Sequence, residues 1–271
     1  MNAKEVIFET RDLHYAYLGK FPALCGVDMR IRQGEKIAII GANGSGKSSL
    51  LKILDGLIFP DRGDIFAFGT RLHEDVFCDE DFSQAFRSRV GFVFQDPDVQ
   101  LFCPTVREDI AFGPLQLGVA PDEIKRRIGE LVRDFGIEEL LDRSPYQLSV
   151  GEKRKVAIAS TLAVAPRVLI LDEPTAGLDP ATMRHIVDII TKAHEEGKTV
   201  VTATHDMHIV QEIADTIYCF GHDKKIARYG PAQEILEDRQ FLEAHNLVHT
   251  HRHRHPDSVH THPHDHAEHH H

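Results

Sequence analysis

The chain has 271 residues, of which 42% are hydrophobic, and its formal net charge is −11. This length fits one large α/β domain or two smaller ones, and the hydrophobic share supports a packed core, which excludes a largely disordered chain. The acidic balance argues against a nucleic-acid partner, because such binding depends on clustered cations that displace counterions.

The first part of the chain alternates in the manner of β-strands. Residues 6–9 and 27–31 are candidate strands before a third, 36–40, and a further strand, 65–68, follows the first helix. We expect an antiparallel layer beside a sheet that contains strand 36–40.

A glycine-rich turn follows strand 36–40. Residues 41–48 read GANGSGKS, and a helix is expected to begin near Lys47. Backbone N–H groups of such a turn can surround a phosphate, to which the helix N-terminus adds its positive end. Lys47 is expected to reach the outer phosphates, and the Ser48 hydroxyl to bind Mg²⁺. The predicted nucleotide contacts are Gly41, Ala42, Asn43, Gly44, Ser45, Gly46, Lys47, Ser48 and Ser49. The alternative to a nucleotide-binding loop is a glycine turn that arose by chance.

Helical patterns begin after the next strand, 90–94. Apolar residues recur at three- and four-residue spacing within 121–136, which is typical of an amphipathic helix. The segment from about 96 to 162 is therefore predicted to be a helical subdomain.

The segment 148–159 reads LSVGEKRKVAIA and leads into another helix. Ser149 and Gly151 stand just before it, so they offer a hydroxyl, a bare backbone N–H and a helix N-terminus to an anion. An ordinary serine cap is the alternative, and it would be preferred if the motif stood alone.

Two acids, Asp172 and Glu173, follow the apolar residues 168–171 in VLILDEP. The apolar run is short enough for a buried strand of a parallel sheet. Asp172 is expected to hold Mg²⁺, directly or through a water, and Glu173 to orient and polarise an attacking water. Such a pair is usually only a helix cap, but the phosphate loop favours a nucleotide triphosphatase site.

Strands and helices then alternate in the segments 181–194, 199–204, 207–214 and 216–220. This alternation predicts a mostly parallel sheet that is covered on both faces.

The composition changes abruptly near residue 245, so residues 1–244 are predicted to form the domain and 245–271 a disordered histidine-rich tail. Alternate residues of the tail are His249, His251, His253 and His255, then His260, His262, His264 and His266. In an extended chain each set lies on one side, and grouped imidazoles can bind Ni²⁺ or Co²⁺ until they protonate near pH 6. A purification tag is the alternative. The interleaved Thr, Arg, Pro and Asp favour a native tail, less so for the last three histidines.

Membrane insertion is not expected. The longest apolar region, 156–171, is interrupted by Ser160, Thr161, Pro166 and Arg167, and the charged N-terminal residues lack the apolar stretch of a signal peptide. A cytosolic location follows, and any membrane role requires a partner.

Cysteines and basic clusters suggest no further site. The four cysteines are scattered without paired spacing, which fits reduced thiols better than zinc or disulfides. The basic triplets 125–127 and 153–155 lie in helical patterns and are interpreted as solvated faces.

Taken in order, these motifs resemble those of the ATP-binding cassette (ABC) ATPases, from residue 6 to about 236. The phosphate loop, Gln95, LSVGE, the LDEP strand end, AGLD at 176–179 and His205 carry the resemblance. It implies an α/β P-loop NTPase fold with a mostly parallel sheet, an antiparallel β layer and a helical subdomain.

The resemblance also implies roles for single residues. Tyr17 would stack on adenine, although Tyr17 or its neighbour Tyr15 could instead pack into the core. Gln95 would touch Mg²⁺ and the attacking water, Asp179 would bridge two subunits, and His205 would contact the γ-phosphate, unless it is only a satisfied polar residue at a strand end.

In this family the signature motif of one subunit, here LSVGE at 148–152, closes over the phosphate loop of another. The resemblance therefore implies a two-fold head-to-tail dimer, most simply of identical subunits, with two ATP molecules between them. The signature here departs from the usual LSGGQ at Val150 and Glu152, while Ser149 and Gly151 are kept.

The text around Gln95, VGFVFQDPDVQLF and then TVREDIAFGPLQLG, resembles ATPase subunits of energy-coupling-factor importers, particularly the cobalt and nickel branch. This implies work at the cytoplasmic side of the membrane with a transmembrane energy-coupling protein and a substrate-binding membrane component. A vitamin importer of the same type stays open as an alternative, as do a soluble cassette ATPase and a metallochaperone.

Overall fold

The computed structural model describes residues 4–255 and 258–264, with side chains as far as residue 248. Two sheets and a group of helices make up most of this part of the chain. Within it, no helix is both long and apolar enough to cross a bilayer.

The smaller sheet is antiparallel, as predicted, with the strand order β2-β1-β4-β5. Its strands are β1 (Val6–Tyr17), β2 (Phe21–Arg32), β4 (Arg62–Ala67) and β5 (Thr70–Arg71). β1 and β2 have twelve residues each, so they extend well beyond the predicted 6–9 and 27–31. A short turn joins them into a hairpin whose pairing runs from Val6 to Tyr17, and this long ladder stabilises residues that lack strict alternation.

The larger sheet has six strands in the order β10-β9-β3-β8-β7-β6. Its strands are β3 (Lys36–Ile40), β6 (Val90–Val93), β7 (Val168–Asp172), β8 (Thr199–Thr204), β9 (Thr216–Phe220) and β10 (Ile226–Pro231). All of these strands except β10 run parallel to one another. Their apolar, buried residues and the helices that cover the sheet are typical of a parallel sheet. The antiparallel edge strand β10 was not predicted.

Helices flank this sheet. They are α1 (Lys47–Leu54), α2 (Glu80–Arg89), α6 (Pro180–Glu195), α7 (Met207–Ile213), α8 (Ala232–Glu237) and α9 (Arg239–Ala244). Side chains of Asp179 and Asp206 cap α6 and α7 and thereby fix where these two helices begin. Helices α2, α8 and α9 carry no long apolar period and were not predicted.

Three helices form the predicted helical subdomain. They are α3 (Val106–Gln116), α4 (Pro121–Phe135) and α5 (Val150–Ala163). α4 matches its prediction and ends where Gly136 takes a left-handed conformation with φ of 61°. The buried side chains of these helices continue into the same apolar cluster as one face of α6 and the larger sheet. The subdomain is thus anchored to the sheet by a shared core.

The two basic triplets behave differently. Arg126 pairs with Glu123 and Glu130 on the outside of α4, as a solvated face predicts. Arg127 also pairs with Glu123, but it is partly buried and donates to the carbonyl oxygens of Ala163 and Val164 at the end of α5. Arg154 corrects the prediction for 153–155, because its side chain is buried against the strand end that precedes Gln95. Periodicity did not reveal this, since the residue that receives the guanidinium lies about sixty positions earlier. The four cysteines are free thiols.

The C-terminal part begins after α9, and the disorder expected for residues 245–271 stays a prediction. Leu247 is buried with Ile235 and Leu242, so packing continues past residue 244. Beyond it the backbone forms two antiparallel strands, β11 (His249–His255) and β12 (Ser258–His264). The period-two alternation with threonine between the histidines is compatible with such strands. His266 and the last three histidines lie outside the described residues.

Candidate active site

The loop between β3 and α1 requires glycine. Gly46 is the N-cap of α1 with φ of 112°, and an added Cβ would lie 2.3 Å from the carbonyl oxygen of Ala23. An L-residue at this position would meet both backbone strain and a clash. Gly46 also brings no side chain that could accept the amide hydrogens of the first turn, which leaves these donors for an anionic ligand.

Lys47 lies at the base of this loop and is only 6% exposed. Its Nζ donates a hydrogen bond of 2.8 Å to the carbonyl oxygen of Gly41 and lies 3.7 Å from Glu173 Oε1. Burial lowers the pKa of Lys47, while the charges of Glu173 and Asp172 oppose the change. The ammonium is therefore fixed between the phosphate loop and the acid pair.

Asp172 ends β7 beside the loop. Burial raises the pKa of this carboxyl, against the hydrogen bond from Ser48 and the charge of Lys47. Its Oδ1 is buried and has no hydrogen-bond partner in the described part of the chain. An unpartnered buried carboxylate oxygen next to a serine hydroxyl is the oxygen donor set that Mg²⁺ prefers, so these residues fit the metal.

Glu173 has a strained backbone, with φ of 47°. Non-glycine residues with positive φ are uncommon and concentrate at functional sites. The strain persists because the Glu173 amide donates to the carbonyl oxygen of Ala203, which joins the end of β7 to β8. The turn places the carboxylate over the phosphate loop.

His205 follows β8 and faces Glu173. Its Nδ1 lies 2.9 Å from Glu173 Oε2 in a hydrogen bond, and this contact raises the pKa of His205 although burial opposes it. Because β3, β8 and β7 are neighbouring parallel strands, their carboxyl ends bring Lys47, His205 and Glu173 to one edge of the sheet. A carboxylate placed by a histidine beside an ammonium is suited to activating a water.

A cleft of about 450 Å³ opens above these groups. It is lined by Tyr17, Phe21, Pro22, Ala23, Asn43, Gly44, Ser45, Gly46, Lys47, Ser48, Ser49, Gln95, Glu173 and His205. The volume is that of a small-molecule site. All lining residues except Phe21, Pro22 and Ala23 were predicted, whereas the predicted Gly41, Ala42 and Asp172 do not line the cleft. The apolar wall was missed, since nothing in its sequence distinguishes it from other strand residues.

The two tyrosines near the end of β1, Tyr15 and Tyr17, lie in different surroundings. Tyr17 lines the cleft, is 39% exposed, and its hydroxyl lies 3.1 Å from Ser49 Oγ. Tyr15 packs against the core beneath the smaller sheet and meets Tyr17 edge to face. An aromatic face at the mouth of the cleft is thus supplied by Tyr17.

Lys224 is a further contact that sequence reasoning missed. Its Nζ donates a hydrogen bond to the carbonyl oxygen of Gly44 in the phosphate loop. The residue lies in the turn after β9 with φ of 64°, a conformation more typical of glycine or asparagine. No short motif around it could have signalled this contact.

The signature residues lie elsewhere. Ser149 caps α5, with its Oγ accepting from the Glu152 amide and donating to Glu152 Oε2 at 2.8 Å. Neither Ser149, Gly151 nor Asp179 lines the cleft. Glu152, one of the two departures from the usual signature, completes the cap, and hydrogen bonds from the Ser149 amide and hydroxyl lower the pKa of its carboxyl.

Asp179 has a comparable position at the start of α6. Its Oδ1 accepts from the amides of Ala181 and Thr182, and Thr182 also donates its hydroxyl to Oδ2. These bonds lower the pKa of Asp179. The carboxylate is therefore ionised and fixed in direction.

A phosphate loop, an acid pair and a facing histidine on adjacent parallel strands, with an antiparallel sheet and a signature-capped helical subdomain, define an ATP-binding cassette ATPase. The ABC transporter family matches residues 24–176, more than half of the chain. The chain belongs to this family, and it is an ATP-binding and ATP-hydrolysing subunit of the ABC type.

Individual relatives are also ATP-binding proteins of transporters. The chain is 46% identical over 244 residues to the nickel import ATP-binding protein NikO of Rhodobacter capsulatus, covering 89% of this chain and 95% of the relative. It is 42% identical over 241 residues to the energy-coupling factor transporter ATP-binding protein EcfA of Methanothermobacter thermautotrophicus, covering 89% and 76%. The solved structure of cbiO1 from Clostridium perfringens, part of the ABC transporter complex cbiONQ, is 35% identical with a TM-score of 0.75, covering 90% and 96%. Among ABC subunits, the chain thus resembles those of energy-coupling-factor transporters.

Proposed function

We propose that this chain supplies the ATP hydrolysis of an energy-coupling-factor importer, with Ni²⁺ or Co²⁺ as the transported ion. The observation that carries the proposal is the Glu173–His205 contact of 2.9 Å above the phosphate loop, since it gives a site built to hydrolyse a phosphoanhydride. Similarity to energy-coupling-factor and nickel import proteins supplies the transport context.

In the proposed reaction each group has one task. The loop amides and Lys47 bind the outer phosphates, and Tyr17 stacks on the adenine. Glu173 accepts a hydrogen bond from the attacking water and polarises it, and His205 holds the carboxylate in place and contacts the terminal phosphate.

Ser48 and Asp172 would hold Mg²⁺, with Gln95 near the metal and the water. Bound there, the metal would neutralise charge on the phosphates. The unpartnered Asp172 Oδ1 supports this assignment, because a buried carboxylate oxygen requires a cation or a donor.

A second cassette completes the site in this proposal. Ser149, Gly151 and Asp179 lie outside the cleft of their own chain, so they are available to a partner's nucleotide. Ser149 and Gly151 would close over the terminal phosphate, and Asp179 would bridge the two subunits. A two-fold head-to-tail pair of identical chains meets this requirement most simply.

An apolar surface next to Gln95 fits a membrane partner. Val99 and Phe102, soon after Gln95 in the chain, and Phe112 and Leu115, three residues apart on α3, are all exposed, and the rings of Phe102 and Phe112 meet edge to face with centroids 4.9 Å apart. Exposed aromatic residues of this kind mark protein contacts. We assign the surface to the transmembrane energy-coupling protein, which joins a substrate-binding membrane component and places this chain at the cytoplasmic face.

The histidines of β11 and β12 are proposed to bind the transported metal. In the backbone register His251 is opposite His262 and His253 is opposite His260, and directly opposite residues share one face of an antiparallel pair. Imidazole ligands suit Ni²⁺ and Co²⁺, and the set is extended by His249, which is opposite His264, and by His255 and His266. Nickel titration of the full chain and of a chain ending at residue 248 tests this role, and equal binding by both would contradict it.

Metal uptake separates the substrate proposals. Cells that lack the chain should lose Ni²⁺ or Co²⁺ uptake, regain it with the wild-type gene and fail to regain it with Glu173→Gln. Retained metal uptake with lost vitamin uptake would favour the vitamin alternative, to which the energy-coupling factor relative also points. If the chain purified from gently solubilised membranes hydrolyses ATP but carries no membrane partner, the transport role is contradicted altogether.

A further inference from the structure

Arg154 is a charged residue buried inside the protein. It lies on α5, five residues after Ser149, and is 2% exposed. One terminal nitrogen donates 2.8 Å to the carbonyl oxygen of Phe94, and the other donates 2.6 Å to the carbonyl oxygen of Gln95. The guanidinium thus holds the two peptide groups that position the Gln95 side chain in the cleft.

Residues 94–100, here named the Gln95 loop, are held to the same helix a second time. Gln100 Oε1 accepts from the Phe94 amide, and its Nε2 donates to the carbonyl oxygen of Ala157 and to Thr161 Oγ1. An ion pair of 2.6 Å joins Lys153 to Asp98. Both ends of the Gln95 loop are therefore bonded to α5.

Burial and the neighbouring carboxylates act on the charge of Arg154 in opposite directions. Asp96, Asp172 and Glu173 all act on the guanidinium and oppose the effect of burial, which lowers its pKa. Arginine stays protonated under these conditions. Hydrogen bonds from a buried cation to carbonyls are strong, and removal of the donor leaves two acceptors without a partner.

Because an α-helix is stiff over two turns, the N-terminal tip of α5, which Ser149 caps, and Arg154 move together. A separation of five residues corresponds to about 7.5 Å along the axis. Displacement of the tip toward a nucleotide must therefore either carry the Gln95 carbonyl along or break both guanidinium bonds.

We propose that Arg154 is a positioning residue that couples the two nucleotide sites of a dimer. It acts on Gln95 in the chain's own cleft and, through α5, on Ser149 at the partner's nucleotide. Closure of Ser149 on one site thereby sets Gln95 in the other. The inference rests on the proposed head-to-tail assembly.

A double-mutant cycle tests the coupling in the full chain, with ATPase kinetics of the wild type, Arg154→Met, Gln95→Ala and the double variant. We expect Arg154→Met to lower kcat about ten- to hundredfold, because misplacement of a catalytic group by about 1 Å has effects of this size. KM for ATP should change by less than about threefold, since the phosphate loop is intact. In the Gln95→Ala background the same change should lower kcat by less than about twofold, because both act through one group.

Arg126→Met on α4 is the matched control, since it removes an exposed arginine from the same subdomain. Arg154→Lys keeps the charge but reaches one carbonyl, so it should recover part of kcat; it also replaces Arg154→Met in the cycle if that variant does not fold. Multiplicative losses in the double variant, or an equal loss of ATP affinity and kcat, would overturn the coupling. Absence of hydrolysis by the wild-type chain would instead overturn the proposed function.

Discussion

The cleft at the carboxyl ends of β3, β7 and β8 and the tip of α5 both carry residues assigned to ATP, but they differ in how their polar groups are satisfied. In the cleft, Ser45 Oγ and Asp172 Oδ1 are buried without a hydrogen-bond partner among the described residues, and Glu173 has positive φ. At the tip, Ser149 both accepts from and donates to Glu152. A bound ligand can therefore supply partners that the buried polar atoms of the cleft lack. Ser149, in contrast, must give up its hydrogen bonds to Glu152 before it can bind a ligand.

The largest expected effect lies in the cleft. Glu173→Gln removes the group that polarises water, so kcat should fall about 10²- to 10³-fold, in the range of general-base contributions. ATP affinity should hardly change, because the phosphate loop is intact. Steady-state ATPase assays and nucleotide titration measure both, with Glu196→Gln, an exposed acid paired with Lys198, as control. Turnover within a factor of two of the wild type would remove Glu173 from its assigned role.

A second effect concerns the backbone of the phosphate loop. Gly46→Ala places a methyl group 2.3 Å from the Ala23 carbonyl oxygen, so the free energy of unfolding should fall by about 1–3 kcal/mol, as for other overpacked sites. Gly129→Ala makes the same chemical change inside α4 with open space around it, and should raise the free energy of unfolding by about 0.5–1 kcal/mol. Urea unfolding distinguishes the two. Equal effects of both variants would disprove the close-approach argument.

The tip of α5 should show a smaller effect on stability. Ser149→Ala and Asp79→Ala each remove a helix cap, and each should lower the free energy of unfolding by about 1 kcal/mol. Only Ser149→Ala should also lower the turnover of ATP, since Ser149 is assigned to the partner's nucleotide. Thermal unfolding and ATPase assays on the same samples provide the comparison. Full turnover in Ser149→Ala would leave the serine with a capping role alone.

The smallest effect is a dependence on pH. Glu173 raises the pKa of His205 above its ordinary value of 6.5. A raised folded-state pKa means that the pair's stabilisation is fully present below about pH 6.5 and is lost as the pH rises through the folded value. NMR titration of the His205 ring should therefore show a higher midpoint in the wild type than in Glu173→Gln. The reverse order would contradict the contact.

Much of the cleft could be predicted from the sequence because its signals are local. The glycine turn, Lys47 and the acid pair each follow directly from a strand, and the carboxyl ends of parallel strands meet at one edge. The antiparallel layer, the parallel sheet and α4 were predicted for the same reason, since their periodicity is contained in short segments.

Other features depend on residues far apart in the chain. Arg154 was interpreted as solvated, but the carbonyls that receive it belong to Phe94 and Gln95. Lys224 reaches Gly44 from the turn after β9. The helices α8 and α9 are stabilised by packing around Ile235 and Leu242, and the edge strand β10 by its pairing with β9, rather than by any pattern of their own. Tertiary contacts of this kind have no signature in a short window of sequence.

Mixing two inactive variants tests most directly whether one chain's tip completes another chain's cleft. Lys47→Ala breaks a chain's own phosphate site, and Ser149→Arg blocks the tip that it offers to a partner. In a head-to-tail dimer of the two variants, one composite site is doubly broken and the other is fully intact. The mixture should therefore recover measurable ATPase activity, which is at most about a quarter of the wild-type value for two independent sites, since half of randomly paired dimers are mixed and each has one intact site. The coupling through Arg154 lowers this share, because the blocked tip no longer sets Gln95 of the intact site. A mixture no more active than the sum of its two components would contradict the account.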